Sequence, residues 1–246
     1  MKLLVLAAGY ATRLYPLTLD RPKALLDVAG RPMLEHVLAS LAPIRELDTT
    51  YVVTNSKFAR HFQEWASRAS YAAVVVDDGT HDEETRRGAI GDIAFVVERE
   101  DLEDDLIVVA GDNLFSETLE GFGAAIRARR APTLAVYDVG DLEAIKRYNA
   151  IEVDAEGRIA FFEEKPAEPR STLTGIALYF YPRETLPLVR RYVDEGNNPD
   201  QPGRLVQWLY PRVDFYTWLV PGIWYDVGSA ESLAEADRVF SSLVSR

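Results

Sequence analysis

The sequence contains no cysteine, which excludes disulfide bonds, thiolate metal sites and cysteine nucleophiles. Long apolar runs are also missing, and no stretch approaches the roughly 20 residues that a membrane-spanning helix requires. The first residues, MKLLVLAAGYATRL, pair a lysine with a short apolar run that soon turns polar, which is typical of a buried first strand rather than a signal peptide. We therefore expect a soluble, cytoplasmic protein with no membrane partner.

Positive charge is scarce, because 27 Lys and Arg residues face 39 Asp and Glu residues and leave a formal net charge of −12. A surface of this sign repels a nucleic-acid backbone, so we expect no nucleic-acid partner. A nucleotide substrate remains compatible, since a few basic residues in one cleft can outweigh distant negative charge. With 246 residues, 48% of them hydrophobic, the chain can bury one substantial core. We expect a single domain over residues 1–246.

Short apolar segments alternate with amphipathic patterns through the first half of the chain, an order typical of βαβ units and a mostly parallel sheet. Strands are predicted at residues 2–7, 49–54, 72–76, 106–110 and 132–138, and helices at 32–42, 56–67, 85–98 and 118–129. After residue 140 the pattern predicts a hairpin at 150–153 and 159–163, strands at 173–181 and 213–219, and helices at 183–194, 203–209 and 229–243. The predicted fold is an α/β Rossmann-like mixed sheet flanked by helices.

The loop after the first strand is rich in small residues and carries positive charge. Small side chains let backbone N–H groups approach a phosphate closely, and Arg13 and Lys23 add fixed positive charge. The stretch matches neither GxGxxG nor GxxxxGK[ST]. Charge and spacing alone leave a second interpretation open, in which Gly9 only turns the chain and the basic residues face solvent. The candidate phosphate-binding residues are Leu6, Ala7, Ala8, Gly9, Tyr10, Ala11 and Thr12.

Two aspartates far apart in the chain are candidate metal ligands. Asp112 follows the apolar strand predicted at 106–110, and Asp226 lies in the segment WYDVG. Mg²⁺ prefers oxygen ligands and commonly uses one or two carboxylates together with phosphate oxygens and water. Taken singly, Asp112 could serve a turn and Asp226 could start a helix. A shared metal site therefore depends on the two segments meeting in space.

The complete string LAAGYATRLYPLTLDRPKALLDVAGRP, residues 6–32, closely resembles the signature of the sugar-phosphate nucleotidyltransferases, which reads approximately LAAGxGTRLxPLTxxxPKxLLPVxxxP. Ala11 stands where that family usually has glycine. The trio GDN at 111–113, the W-x-D-x-G segment at 224–228 and the EKP segment at 164–166 also match the family in order. The resemblance, which is to members of the glucose-1-phosphate thymidylyltransferase type, covers nearly the whole chain.

The resemblance implies a role for each matching residue. The first loop would wrap a triphosphate, with Arg13 steadying the departing pyrophosphate and Lys23 neutralising the reacting phosphates. Asp112 and Asp226 would hold Mg²⁺. In the second half, Glu164 would bind substrate hydroxyls and Lys165 the substrate phosphate. The implied substrate-binding residues are completed by Asn113, Gly175, whose missing side chain would let the sugar lie close to the backbone, and Trp224.

The reaction implied is the coupling of a nucleoside triphosphate to a sugar 1-phosphate, giving an NDP-sugar and pyrophosphate. Residues 1–140 would form the nucleotide-binding half and residues 141–246 the acceptor-binding half, with the predicted hairpin and strand lobe covering the acceptor site. One alternative is a cytidylyltransferase that uses phosphocholine or another phosphorylated alcohol, with aromatic residues as a cation–π cage for choline. Another is a noncatalytic nucleotide-sugar sensor. A Rossmann oxidoreductase lacks its dinucleotide fingerprint here.

The choice of base is poorly specified by the sequence. Related pyrimidine-specific enzymes carry a glutamine after the third strand, but residues 77–92 contain none. In that stretch Arg86 and Gly88, with Thr85 and Ala89, either contact the base or belong to an exposed helix start. The acceptor, the oligomeric state and the pathway are also left open. Longer thymidylyltransferases carry additional C-terminal helices associated with regulation and assembly. The sequence ends soon after the last predicted helix, so we do not extend those properties to this chain.

Overall fold

The computed structural model describes residues 1–244; Ser245 and Arg246, the end of the predicted domain, lie outside the described residues. Two compact units divide the chain. The first unit comprises Met1–Arg87, Val109–Glu120 and Pro221–Arg246, and the second unit comprises Gly88–Val108 and Gly121–Val220. Each unit takes segments from both sides of residue 140, and the organisation as one domain with two sequential halves stays a prediction.

The strands are short, and most belong to one mixed sheet. Within residues 1–244 that sheet has the strand order β12-β8-β11-β6-β1-β4-β5. The strands are β1 (Lys2–Leu6), β2 (Asp27–Val28), β3 (Arg31–Pro32), β4 (Thr49–Thr54), β5 (Val74–Asp77), β6 (Leu106–Ala110), β7 (Asn113–Phe115), β8 (Thr133–Asp138), β9 (Asn149–Val153), β10 (Ile159–Glu164), β11 (Leu173–Tyr181), β12 (Tyr216–Leu219) and β13 (Trp224–Asp226).

Most helices lie between strands in chain order, as βαβ units require, and the last helix follows the final strand. None of those in the described part of the chain is long and apolar enough to cross a membrane. The helices are α1 (Met33–Leu41), α2 (Ala59–Ala66), α3 (Ala89–Arg99), α4 (Glu120–Arg129), α5 (Leu142–Ile145), α6 (Leu186–Asp194), α7 (Pro202–Leu209) and α8 (Ala230–Val244).

In the first unit, β1, β4 and β5 run parallel, with Leu6 opposite Val53. Their carboxyl ends therefore reach the same edge of the sheet. Leu4, Val5 and Val52 have no solvent exposure, because a parallel sheet is covered on both faces and its strands read as continuous apolar runs. In the strand order, β1 lies between β6 and β4. Such a point, where the order changes direction, is where ligands bind in open α/β sheets.

The end of the chain packs into the first unit. Strand β13 pairs antiparallel with β7 and places Asp226 opposite Asn113. Helix α8 follows and buries Phe240 in a cluster with Leu14 of the first loop and Met33 of α1. Residues from the beginning, middle and end of the sequence therefore share one core, which fixes the loops that leave it.

In the second unit, β8 pairs parallel with β12 and antiparallel with β11. The predicted hairpin is confirmed as β9 and β10, which pair antiparallel. Gly157 has φ 80° in its connection, a conformation that glycine adopts without steric cost. That the hairpin covers an acceptor site stays a prediction.

The α/β fold with a mixed sheet flanked by helices is confirmed. One element differs clearly: the helix predicted at 85–98 begins only at Ala89. Gly88, at φ 77°, breaks the helix, and the carbonyls of Asp200 and Pro199 accept from the N–H groups of Ala89 and Ile90. Strands β5 and β12 also begin later than predicted, and residues 183–185 form a 3₁₀ turn before α6.

Candidate functional site

The loop after β1 is held by its carbonyl groups. Leu6 O accepts from Gly111 N at 3.0 Å, and Ala8 O accepts from Asn55 Nδ2 at 2.8 Å. Asn55 is fully buried and also accepts from Phe58 N. Asn55 is not among the residues predicted from the sequence, since its position after a buried strand is equally typical of an ordinary polar loop. The effect of these bonds is to fix the loop while leaving its N–H groups available.

The backbone N–H groups of residues 8–11 donate no hydrogen bond to any residue between 1 and 244. Ala11 has φ 50° and ψ 42°, the left-handed conformation, and the 3₁₀ turn Thr12–Leu14 follows it. Thr18 Oγ1 donates to Ala11 O at 2.8 Å and holds this conformation in place. Successive N–H groups around such a left-handed residue form an anion-binding concavity. Ala11 therefore adopts the conformation expected of the usual glycine, at some cost in strain.

Two cations of the loop line a cavity of about 240 Å³ in the first unit. The Lys23 ammonium forms an ion pair with the Asp112 carboxylate. Arg13 is exposed, whereas Arg21 of the same loop is paired with Asp27 at 3.1 Å. The cavity is lined by Leu6, Ala7, Gly9, Ala11, Arg13, Lys23, Ala24 and Asp112. Positive charge and free N–H groups therefore share one concave surface.

The two predicted aspartates lie close to each other beside the charged residues of this cavity. Asp112 follows β6, and the pairing of β13 with β7 places Asp226 one position along, opposite Asn113. Burial raises the pKa of the Asp226 carboxyl, and the nearby negative charge of Asp112 raises it further, against the opposing effect of Lys23 and Arg13. Burial also opposes ionisation of Asp112, but the ammonium of Lys23 holds its pKa below the usual value.

This donor set fits a hard divalent cation. The negative charge of Asp112 raises the pKa of the Asp226 carboxyl, and a cation bound beside both carboxylates would stabilise their charged forms. In the described chain, no group of three or more His, Cys, Asp and Glu side chains is placed to hold a metal ion. Mg²⁺ is the ion that commonly uses only one or two carboxylates and completes its shell with phosphate oxygens and water. Asp112 and Asp226 are therefore suited to a metal that arrives with a triphosphate.

Asn113 and Trp224 support the aspartates. Trp224 Nε1 donates to Asn113 Oδ1 at 2.7 Å, and Asn113 Nδ2 donates to Asp112 Oδ1 at 3.1 Å. Asn113 is buried, so this chain of hydrogen bonds orients the Asp112 carboxylate. The predicted contact of both residues with substrate stays a prediction.

The second unit contains three of the predicted substrate-binding residues, Glu164, Lys165 and Gly175. Burial raises the pKa of the Glu164 carboxyl, although Lys165 and Arg204 lower it in part. No hydrogen bond to that carboxylate comes from another described residue. Lys165 has φ 49°, and its N–H donates to Tyr148 O at 2.8 Å, which leaves the exposed ammonium on a fixed backbone.

Gly175 has a packing reason to be glycine. A Cβ at this position would lie 2.6 Å from Leu134 Cδ2 and 3.0 Å from Ile151 Cδ1. Its N–H donates to Asn149 Oδ1 at 2.6 Å, and the pairing of β11 with β8 is irregular just after it. A contact between Gly175 and a sugar stays a prediction.

The residues suggested for the base are placed individually. Arg86 is exposed and lies 3.3 Å from the Glu83 carboxylate. Gly88 has no room for a side chain, because a Cβ would lie 2.7 Å from Pro199 O. Their contact with a base stays a prediction. Thr80, which is also not among the predicted residues, links the loops after β5 and β1, because its hydroxyl lies 3.4 Å from the hydroxyl of Tyr10.

Known proteins share both the sequence pattern and the fold. "Putative mannose-1-phosphate guanyltransferase" of Sulfolobus acidocaldarius is 33% identical over 74% of this chain and 49% of its own length. Glucose-1-phosphate thymidylyltransferase of Streptomyces antibioticus is 25% identical over 97% of this chain and 65% of its own length. The chain thus spans about half to about two thirds of the length of these relatives. A UDP-glucose pyrophosphorylase solved with UDP-glucose matches the fold with a TM-score of 0.82 at 21% identity, covering 98% of both chains.

The match to a family profile is nearly complete along the chain. Residues 2–241 match the profile described as Nucleotidyl transferase, a range that includes the first loop and both aspartates. This chain belongs to the nucleotidyl transferase family.

Proposed function

We propose that this chain transfers a nucleotidyl group from a nucleoside triphosphate to a sugar 1-phosphate and releases pyrophosphate. The observation that carries the proposal is the meeting of Arg13, Lys23, Asp112 and Asp226 beside a loop with free N–H groups, all within the first unit. The names of the relatives, a guanyltransferase and a thymidylyltransferase that act on sugar 1-phosphates, support the same reaction class.

The triphosphate is proposed to bind the loop after β1. The N–H groups of residues 8–11 donate to phosphate oxygens, as in other backbone anion sites. Arg13 is free to form paired hydrogen bonds with the departing pyrophosphate, for which the planar guanidinium is well suited. Lys23 neutralises charge beside the α-phosphate while it keeps Asp112 ionised. Transfer of this kind needs positioning and neutralisation more than a covalent intermediate.

Asp112 and Asp226 are the residues that would hold Mg²⁺. When bound there, the ion polarises the phosphoryl oxygens and offsets the charge of the triphosphate. The chain from Trp224 through Asn113 to Asp112 keeps one carboxylate oriented. Lys23 stays paired with the same carboxylate, so the site is partly neutralised before any ligand enters.

The chemical step is an in-line displacement at the α-phosphorus. An oxygen of the acceptor phosphate forms the new P–O bond while the bond to the β-phosphate oxygen breaks, and the electron pair leaves with pyrophosphate. The acceptor phosphate is already an anion at neutral pH, so no protein nucleophile or general base is required. Lys165 is proposed to bind that phosphate and reduce the repulsion between two anions.

The second unit favours a sugar over phosphocholine as acceptor. Lys165 and Arg204 both lie close enough to Glu164 to lower the pKa of its carboxyl, and two cations disfavour a quaternary ammonium. Nearby Tyr179 stacks on Tyr181 with ring centroids 6.0 Å apart, and both rings are buried, so their faces are not open for a cation. A carboxylate without a donor suits the hydroxyl groups of a sugar.

A matrix of triphosphates against phosphorylated acceptors tests this function. ATP, CTP, GTP, UTP and dTTP are combined with glucose 1-phosphate, mannose 1-phosphate, galactose 1-phosphate and phosphocholine, and pyrophosphate release is measured with Mg²⁺. We expect release with at least one sugar 1-phosphate. Release only with phosphocholine would favour the cytidylyltransferase. No release in any arm would favour a noncatalytic sensor, and thermal stabilisation by NADH rather than a Mg²⁺-triphosphate would favour an oxidoreductase.

A further inference from the structure

The first turn of α7 lies directly against the Glu164 carboxylate. Gly203 is buried in that turn, and a Cβ built there overlaps Glu164 Oε2. The same Cβ would lie 3.1 Å from Phe162 Cζ and 3.4 Å from Glu164 Cδ. The carboxylate therefore occupies the space that the side chain of any other residue at position 203 would fill.

This turn is fixed by the segment before it. The carbonyl of Pro199 accepts from Ile90 N at 2.8 Å, and that of Asp200 accepts from Ala89 N at 3.3 Å, so both cap the start of α3. On the other side, Tyr192 Oη donates to Asn198 O at 2.8 Å. Because hydrogen bonds anchor this segment to both α3 and α6, the backbone of the first turn of α7 is held in a fixed position.

The Glu164 carboxylate packs against this turn. It accepts no hydrogen bond from the other described residues. We propose that Gly203 is a positioning residue, whose missing side chain sets the place from which Glu164 accepts the hydroxyl groups of the acceptor. This inference rests on the proposed function. It identifies position 203, rather than Glu164 alone, as a determinant of acceptor recognition.

Substitution of Gly203 by alanine is a selective probe of this role. The overlapped atom is the far end of a flexible side chain, which can move at little cost to the fold. Alanine is also a better helix former than glycine. By contrast, a Cβ at Gly88 would overlap the backbone of Pro199 and Asp200. Gly88→Ala would therefore disturb the fold and could not report on the position of the Glu164 carboxylate.

The test is steady-state kinetics of Gly203→Ala with the triphosphate and sugar 1-phosphate that give most pyrophosphate. Losing a well-placed hydrogen bond to a charged group costs roughly tenfold in binding, so we expect the KM for the sugar 1-phosphate to rise by about tenfold or more. The KM for the triphosphate and the melting temperature should stay close to wild type. Gln207→Ala, an exposed change on the same helix, should alter neither KM.

A second background separates positioning from a general structural effect. Glu164→Asp withdraws the carboxylate by one methylene and removes the overlap, so adding Gly203→Ala to it should raise the acceptor KM little further. An unchanged acceptor KM in Gly203→Ala, or an equal rise in both backgrounds, would overturn the inference. If the wild type releases no pyrophosphate, the proposed function fails instead, and calorimetric titration of the same variants with glucose 1-phosphate decides on Gly203.

Discussion

At the scale of single residues, the ion pair of Lys23 and Asp112 is the contact on which the site depends most. It joins the first loop to the turn after β6, and it keeps Asp112 charged despite burial. Both residues could be predicted from their sequence motifs. Their pairing could not, because it joins positions 89 residues apart in the chain.

Replacement of Lys23 by alanine should therefore abolish most turnover. One preorganised charge in such a site is worth about a hundredfold or more in rate, so pyrophosphate release should fall at least that far while circular dichroism shows a folded protein. Arg21→Ala is the matched control, since Arg21 lies in the same loop but is exposed and paired with Asp27. Equal activity of the two variants would contradict the role given to Lys23.

The raised pKa of Glu164 predicts how the stability of the fold depends on pH. Burial raises the pKa of its carboxyl, so the folded state holds the proton more tightly than the unfolded chain. This contribution to stability is fully present below the unfolded pKa, about 4.3, and is lost as the pH rises through the folded pKa.

We therefore expect Glu164→Gln to be more stable than wild type in urea at pH 7.5, and this gain to disappear near pH 4. The neighbouring exposed Glu163→Gln should show no such dependence. If Glu164→Gln had the wild-type unfolding midpoint at pH 7.5, burial of the charged carboxylate would not destabilise the fold.

At the scale of elements, the loop between β1 and β4 combines regular and unusual backbone. Apolar periodicity predicts β1, α1 and β4 well, because their buried faces alone determine them. It does not predict β7 and β13, which are three residues long and form only by pairing with each other. It also misplaces the start of α3, because the capping carbonyls come from residues 199 and 200.

The left-handed residue of that loop allows a direct measurement of stored strain. A non-glycine residue in this conformation destabilises the folded state by about 1–2 kcal/mol. Glycine removes this strain, but its greater conformational entropy in the unfolded chain offsets part of the stabilisation. We expect Ala11→Gly to raise the free energy of unfolding by about 0.5–1 kcal/mol, read from urea titrations. A loss of stability would show that Ala11 is not left-handed in solution.

At the scale of the whole molecule, the negative net charge of −12 contrasts with the two cationic side chains that line the cavity beside the first loop. Arg13 and Lys23 lie where three separate segments of the chain meet in the first unit, namely the first loop, the residues after β6 and strand β13. The sequence indicates each segment through its motif. Only the fold shows that Asp112 lies close enough to Asp226 to raise the pKa of the Asp226 carboxyl.

The most direct measurement of the central claim is the rate of pyrophosphate release by Asp226→Asn with saturating Mg²⁺, triphosphate and sugar 1-phosphate. Asp214→Asn serves as control, because Asp214 is an exposed residue 3.4 Å from Arg158. If Asp226 and Asp112 hold the metal with the triphosphate, the rate should fall about a hundredfold or more, and the control should keep the wild-type rate. Wild-type turnover by a folded Asp226→Asn variant would contradict the account.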